Sequence, residues 1–164
     1  QIDVMSSIAS AFSDFAKMPT QKREEIDVVE VVKLALDIFN ESYISYSFTD
    51  DKLIGNLDKT QLIRIVTNLV TNATQATEGV ENPKIEVKVS SEKDTIKIAV
   101  CDNGKGIDDS VEDLIFEPKF TTKSSGMGLG LPMIKKIIEA YSGTIAFVSS
   151  EKEGTIFTVT LPKK

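Results

Sequence analysis

Two asparagines on one predicted helix face are the first residues whose type and spacing point to chemistry. Asn68 and Asn72 lie four residues apart in the stretch 68–73, Asn-Leu-Val-Thr-Asn-Ala, so their side chains share one face of a helix beside its apolar stripe. Asparagine is a mediocre helix former, and two on one face lower the helix propensity without an evident packing gain. A binding site explains the pair better than a solvated surface does.

A carboxylate followed by glycines comes directly after a predicted buried strand. Residues 102–106 read Asp-Asn-Gly-Lys-Gly. Asp102 at a strand end can accept a hydrogen bond from a ligand amine, while Gly104 and Gly106 let the backbone turn closely around the ligand. The same residues also have the composition of an ordinary turn. Taken alone, this segment leaves both interpretations open.

A second glycine pattern, Gly-Met-Gly-Leu-Gly at residues 126–130, opens a predicted helix. Glycines there let phosphate oxygens approach backbone amides at the positive end of the helix dipole. A dinucleotide-binding fingerprint would follow a strand directly, whereas this pattern follows a long irregular segment. A P-loop would need Gly-Lys-Ser/Thr, which is absent here. The pattern therefore indicates a phosphate site of another kind.

Hydrophobic periodicity and capping signals predict the elements that position these residues. Asp27 with Glu30, and Asp58 with Gln61, have the spacing of capping boxes at two helix starts. Helices are predicted over residues 2–18, from 28, over 59–77 and over 128–141. Strands are predicted just before residue 28 and over 43–48, 85–89, 96–100, 145–149 and 155–161. The expected fold class is α+β, with a mixed sheet covered on one face by helices.

The amino-acid composition excludes several classes of function. The chain has 164 residues, 41% of them hydrophobic, and a net charge of −6, which suits one globular domain with a core. Its basic residues are scattered, so we expect no nucleic-acid partner and no membrane contact from this stretch. The single cysteine, Cys101, indicates a reducing, cytoplasmic compartment. Because the chain contains no histidine, imidazole chemistry and histidine-ligated metals are excluded.

Together these segments resemble the nucleotide site of histidine kinases, DNA gyrase, ninety-kilodalton chaperones and mismatch-repair ATPases, a two-layer sandwich of the Bergerat type. Residues 68–73 resemble the asparagine box, and residues 102–106 and 126–130 resemble the two glycine boxes. Residues 116–123, Phe-Glu-Pro-Lys-Phe-Thr-Thr-Lys, resemble the phenylalanine box of sensor histidine kinases. Residues 72–76 and 116–123 look most like the nitrogen-regulation subfamily.

The resemblance implies a role for each matched position. Asp102 would accept the adenine amino group of ATP, Asn72 would hold Mg²⁺, and Asn68 would support the phosphates. Residues 103–125 would form a lid over ATP. The resemblance implies an ATP-binding set that comprises Asn68, Asn72, Gln75, Asp102, Gly104, Gly106, Ile107, Thr121, Thr122, Lys123, Gly126, Met127, Gly128, Leu129, Gly130 and Leu131. Gln75 stands where many kinases have a basic residue, and Lys119 where an aromatic or apolar residue is usual.

The implied activity is transfer of the ATP γ-phosphate to a histidine outside this sequence, for relay to an aspartate on a response regulator. Residues 1–19 would then be the end of the second helix of a dimerisation hairpin, and residues 20–164 the catalytic domain. The implied partners are the chain's own phosphoacceptor domain, homodimeric in the full-length protein, and a response-regulator receiver domain.

Three other functions stay open at this point. An ATPase of the gyrase or mismatch-repair kind would need a general base near the metal asparagine, and residues 67–75 contain no Asp or Glu. A nucleotide-sensing module without kinase activity would keep the same motifs. A serine kinase of the anti-sigma-factor type is disfavoured by the bundle-like pattern at residues 2–18.

Overall fold

The computed structural model describes residues 9, 20–118 and 130–164. Of the predicted helix at residues 2–18, only Ala9 is described, and it is helical and exposed. The strands are β1 Glu24–Asp27, β2 Ile44–Phe48, β3 Ile54–Leu57, β4 Ile85–Glu92, β5 Thr95–Asp102, β6 Thr144–Ser150 and β7 Gly154–Pro162. The helices are α1 Val28–Leu36, α2 Lys59–Ala76 and α3 Gly130–Ala140, with a 3-10 helix at Asp109–Leu114.

Side-chain caps start the first two helices where the sequence predicts them. The Asp27 carboxylate accepts from the Val29 N–H at 3.1 Å, and the Asp58 carboxylate accepts from the Gln61 N–H at 3.1 Å. Each bond satisfies an amide that the first helical turn leaves without a partner. The predicted starts of α1 and α2 are confirmed.

The predicted mixed sheet is confirmed as five strands in the order β2-β4-β5-β7-β6, in which β2 and β4 are parallel and the other neighbours antiparallel. The prediction missed β3, which pairs antiparallel with β1 in a separate two-stranded sheet. Residues 54–57 read Ile-Gly-Asn-Leu, and Gly and Asn are depleted in strands. The Asn56 N–H donates to the Lys163 carbonyl at 2.8 Å, which joins the small sheet to the end of the chain.

The core lies between one face of the sheet and the helices. Alternate residues of β4 and β5 point into it, and each is at most 2% exposed: Ile85, Val87, Val89, Ile96, Ile98 and Val100. The predicted apolar stripes of α2 and α3 cover them. On the opposite face, Ile156 and Val148 are 44% and 74% exposed. Within the described residues, no helix combines the length and apolar character that a bilayer span requires.

Helix α3 ends close to the predicted stop at Gly143, but Ser142 takes the left-handed conformation, with a φ of 59°. The Ser142 N–H donates to the Glu139 carbonyl at 2.9 Å, and the Gly143 N–H donates to the Ile138 carbonyl at 3.0 Å. These two bonds form a Schellman cap. Gly143 serves a different need, because a Cβ there would collide with the Thr160 carbonyl on β7.

Candidate functional site

Helices α2 and α3 run antiparallel, and this brings two predicted motifs together. Near one end of the pair, the Tyr141 hydroxyl lies 2.8 Å from the Asp58 amide. At the other end, the Asn68 Oδ1 lies 3.4 Å from where a Cβ at Gly130 would be. The asparagine box therefore faces the last glycine of the second glycine box. Asn68, Asn72 and Gln75 are all half-buried on α2.

Asp102 is the last residue of β5 and is only 8% exposed. Its Oδ1 accepts from the Gly104 N–H at 2.8 Å, which holds the carboxylate against the first glycine box. Burial raises the pKa of Asp102, and hydrogen bonds from the backbone of Gly104 and Thr155 lower it in part. A buried acceptor with a raised pKa at a strand end is a typical feature of a binding site.

The first glycine box packs directly on the end of the asparagine helix. A Cβ at Gly104 would lie 2.8 Å from the Ala76 Cβ and would also collide with the Ala76 carbonyl. The Lys105 N–H donates to that same carbonyl at 3.2 Å. Because only hydrogen fits at Gly104, the turn after Asp102 reaches the C-terminal end of α2, beside Gln75.

Three residues outside the predicted binding set support this arrangement. Thr155 is the β7 residue paired with Asp102, and it is 3% exposed. Its hydroxyl lies 2.8 Å from the Ser149 Oγ, which accepts from the Ile107 N–H at 2.7 Å. Asn103 accepts from the Lys84 N–H at 2.7 Å. Strand pairing brings Thr155 and Ser149 to the site from positions far from Asp102 in the chain, so no local pattern could have found them.

The other predicted site residues divide into two groups. Gly106 adopts a φ of +77° against the Ser150 carbonyl, and Ile107 and Leu131 pack on the core. The remaining predicted site residues lie outside the described residues: Thr121, Thr122, Lys123, Gly126, Met127, Gly128 and Leu129. Lys119 also lies outside them.

The start of the phenylalanine box is anchored at the far edge of the sheet. The Phe116 ring lies 6.1 Å from the Phe147 ring on β6, and the Lys135 ammonium on α3 lies 5.1 Å from the Phe116 ring centre. Cation–π contact adds to the burial of the aromatic pair. The segment that follows Asp102 is thus held to α3 as well as to α2.

Residues 57–164 match the family model described as "Histidine kinase-, DNA gyrase B-, and HSP90-like ATPase". The chain belongs to this family. It is 33% identical over 160 residues to a putative sensor histidine kinase, NtrY-like, of Rickettsia felis, covering 94% of this chain and 26% of that protein. It is 32% identical over 168 residues to the sensor histidine kinase ZraS of Escherichia coli K12, covering 99% of this chain and 36% of that protein. The chain therefore spans about a quarter to a third of these curated relatives.

Solved structures identify the class more narrowly. The nucleotide-free catalytic domain of histidine kinase ThkA matches with a TM-score of 0.76 and 29% identity, covering 87% of this chain and 96% of that one. ThkA in complex with the response regulator protein TrrA matches with a TM-score of 0.80 and 25% identity, covering 99% of this chain and 48% of that one. The fold predicted from the resemblance is confirmed: it is that of a histidine kinase catalytic domain.

Proposed function

We propose that the chain binds ATP together with Mg²⁺ and transfers the γ-phosphate to a histidine outside this sequence. The observation that carries the proposal is the convergence on α2. The turn after Asp102 packs on Ala76 at the end of this helix, and Gly130 faces Asn68 two turns earlier, where an added Cβ would lie 3.4 Å from the Asn68 Oδ1. The base-reading and phosphate-binding parts of one nucleotide site thus share a single scaffold.

Asp102 reads the base. Its carboxylate accepts from the adenine amino group and so discriminates against guanine, which has a carbonyl at that position. Burial strengthens this hydrogen bond, because water does not compete for the acceptor. The backbone amides of the second glycine box, which ends at Gly130, bind the phosphates at the start of α3. Asn68 lies beside Gly130 and supports the same phosphates.

Asn72 holds Mg²⁺ through its side-chain oxygen. Within the described residues, no group of three or more His, Cys, Asp or Glu side chains could hold a metal ion. This fits Mg²⁺, which binds through one or two protein oxygens together with substrate phosphates and water. When bound, the ion neutralises charge on the transferring phosphate. A neutral amide on α2 supplies a ligand without repelling the triphosphate.

The acceptor histidine lies on another segment, since this chain has none. Residues 1–19 are the end of the second helix of a dimerisation hairpin, and residues 20–164 are the catalytic domain that serves it in the cytoplasm. The phosphate then passes to an aspartate on a response regulator. The subfamily is the nitrogen-regulation type. The match over 99% of this chain to ThkA, in its complex with the response regulator protein TrrA, supports the relay to a response regulator. The NtrY-like relative supports the subfamily.

Hydrolysis is the main competing function. An ATPase of this fold needs a general base to activate water, and residues 67–75, the turns of α2 around Asn72, contain no Asp or Glu. Phosphoryl transfer to a nucleophile supplied by another domain needs positioning and charge stabilisation instead. The residues present fit transfer better than hydrolysis. A nucleotide-sensing module remains an outcome of the test below.

Radiolabelled ATP distinguishes four functions. The chain is incubated alone, with a dimeric two-helix domain from its own parent protein, and with that domain lacking its histidine. Acid-labile, alkali-stable label is expected only in the second mixture, at a low rate because the domains are not linked. Steady phosphate release by the chain alone would support the ATPase. ATP binding with no transfer in any mixture would support the sensing module, and acid-stable label on serine a serine kinase.

A further inference from the structure

One buried hydroxyl joins helices α2 and α3 at the end of the pair that is remote from the proposed nucleotide site. Tyr141, just after α3, is 5% exposed. Its hydroxyl accepts from the Asp58 N–H at 2.8 Å and donates to the Gln61 Oε1 at 3.1 Å. Asp58 caps α2, and Gln61 lies in its first turn. A single side chain therefore connects the last residues of α3 to the first turn of α2.

The segment that precedes β1 is attached to the same point. The Lys22 N–H donates to the Asp58 Oδ2 at 2.8 Å. The Arg23 guanidinium lies 4.5 Å from the centre of the Tyr141 ring, and its Nη2 donates to the Ala140 carbonyl at 3.3 Å. A cation at this carbonyl is favourable, because the C-terminal end of a helix is negative. Both helices are thus connected to residues 22–23.

We expect a displacement of the helices at Tyr141 to be transmitted to Asn68 and Gly130, where the phosphates are proposed to bind. At 1.5 Å per residue, Asn68 lies about 15 Å along α2 from Asp58, and Gly130 lies about 16 Å along α3 from Tyr141. A close-packed interior has low compressibility and transmits strain, so a tilt between the helices at one end is expected to reach the other end. A small change of angle at Tyr141 therefore changes the separation of Asn68 and Gly130, where a Cβ added at Gly130 would lie 3.4 Å from the Asn68 Oδ1.

We propose that Tyr141 is a positioning residue whose hydroxyl sets the spacing between Asn68 on α2 and Gly130 on α3, and that residues 22–23 act on this spacing through it. The inference rests on the proposed function, since that spacing is where the phosphates bind. Phenylalanine would fill the same space as the tyrosine ring, so the hydroxyl serves the connection and not the packing. Burial raises the pKa of Tyr141, so the hydroxyl keeps its proton and remains a donor at neutral pH.

The groups that the Tyr141 hydroxyl connects are buried and depend on it for hydrogen bonding. Gln61 is 6% exposed, and its Nε2 has no hydrogen-bond partner among the described residues. Removing the Tyr141 hydroxyl takes the donor to its Oε1 as well as the acceptor for the Asp58 N–H. Unsatisfied buried polar groups are costly, so the first turn of α2 is expected to shift until both find water.

The test compares Tyr141→Phe with Tyr46→Phe in the complete 164-residue chain. Tyr46 is 51% exposed at the sheet edge and serves as a matched control for loss of a hydroxyl. The first readout needs no nucleotide: the Asn68 side-chain amide and the Gly130 backbone amide are followed by ¹⁵N-resolved NMR. Both signals are expected to shift in Tyr141→Phe and to stay in place in Tyr46→Phe.

The second readout is the ratio of Mg-ATP affinity to adenosine affinity, measured by calorimetry well below the unfolding temperature. Tyr141→Phe is expected to weaken Mg-ATP about threefold to tenfold and to leave adenosine almost unchanged. A purely structural loss would weaken both ligands equally. Arg23→Met, an exposed change that keeps the aliphatic stem, should shift the same amide signals by a smaller amount, and it replaces Tyr141→Phe if that variant does not fold.

Two outcomes overturn the inference in different ways. The first outcome is that the wild-type chain binds ATP, but Tyr141→Phe shifts neither the Asn68 nor the Gly130 signal and leaves the affinity ratio unchanged. This would refute the positioning role and leave the proposed function standing. A wild-type chain that binds neither ATP nor adenosine would refute the proposed function, and the positioning of a nucleotide site with it.

Discussion

The two ends of the candidate site are built in different ways. At the base end, Asp102 is held by backbone contacts: the Gly104 N–H at 2.8 Å, the first glycine box on Ala76, and Gly154 against the Asp102 carbonyl. At the phosphate end, the half-buried Asn68 side chain on α2 faces Gly130, and a Cβ added at Gly130 would still lie 3.4 Å from the Asn68 Oδ1. Among the described residues, the first end is closed to an added carbon atom, whereas the second leaves space for one at Gly130.

This difference matches what each end is proposed to recognise. A planar base with a fixed pattern of donors and acceptors is read best by a rigid acceptor. A triphosphate with its cation and water needs adaptable ligands, because Mg²⁺ keeps part of its water shell. We therefore expect substitutions at the base end to have large effects on folding or affinity, and substitutions at the phosphate end to have smaller effects confined to the charged ligand.

The largest effect is expected at Gly154. Its φ is +90°, and a Cβ there would collide with the Asp102 carbonyl and lie 2.8 Å from the Asn103 Cα. Gly154→Ala should lower the free energy of unfolding by about 3 kcal/mol or more, because neither backbone can give way easily. ATP affinity should fall as well, since the collision displaces Asp102. Urea denaturation and calorimetry measure the two effects.

Gly79→Ala is the matched control for this change. Gly79 has a φ of +77°, but a Cβ there would meet no atom of the described residues within 4 Å. Its cost is therefore the backbone conformation alone, about 1 kcal/mol. If the two variants were equally destabilised, the close approach at Gly154 would be irrelevant and the base end would not be rigid.

The next largest effect is expected on ATP affinity when Asp102 is replaced. Asp102→Asn keeps the size and an acceptor for the Gly104 N–H, but presents a donor in place of the second carboxylate oxygen. ATP binding should weaken by about 2–3 kcal/mol, the value of a hydrogen bond to a charged group. Near-wild-type ATP affinity in the folded variant, measured by calorimetry, would show that Asp102 does not read the base.

The raised pKa of Asp102 adds a pH test. In the unfolded chain the carboxyl has a pKa of about 3.9, so the folded state holds the proton more tightly. The contribution of Asp102 to stability is then most favourable below that value and is lost as the pH rises through the raised folded pKa. Asp102→Asn should remove this fall in stability. ATP affinity should change in the opposite sense, weakening as the pH falls through the same pKa, and the variant should lose this dependence as well.

The base end also marks the limit of what the sequence predicts. Periodicity and capping spacing predicted α2 to within one residue of Lys59–Ala76, because its apolar stripe and Asp58 cap are local signals. Local pattern likewise predicted β4, β5 and the turn at Asp102. Thr155 and Ser149 were missed, because they reach Asp102 and Ile107 only through the pairing of β5 with β7 and of β7 with β6.

Strand β3 was missed for a related reason. Its residues Gly55 and Asn56 are poor strand formers, and the strand exists because tertiary contacts override that propensity. A Cβ at Gly55 would lie 2.8 Å from the Ile96 side chain, so close packing on β5 requires the glycine that weakens the strand signal. The proximity of Asn68 to Gly130 could be expected only from the family resemblance, since no local rule relates residues so far apart.

A smaller effect is expected at Asn72, and it separates ion binding from base binding. Asn72→Ala should weaken Mg-ATP by about 1–2 kcal/mol and leave adenosine nearly unchanged, because the lost contact is to the cation. Stability should hold or rise slightly, since alanine is the better helix former. Thr71→Ala, an exposed neighbour on α2, is the control. Equal weakening of both ligands would mean that Asn72 acts through helix packing and that the phosphate end is as rigid as the base end.

The smallest expected effect is a gain in ATP affinity. Gln75 is half-buried at the end of α2, where many related kinases have a basic residue, and it lies beside the contact of Ala76 with Gly104. Gln75→Lys should strengthen ATP binding by about 0.5 kcal/mol, the value of a partly solvated ion pair, and salt should reduce the gain. Thr60→Lys adds the same charge at an exposed position in the first turn of α2, far from the site, and should change ATP affinity little. A gain in both variants would mean that overall charge and not position is responsible. No gain in Gln75→Lys would mean that the last turn of α2 belongs to the rigid base end, where Gly104 leaves a longer side chain no room to reach the phosphates.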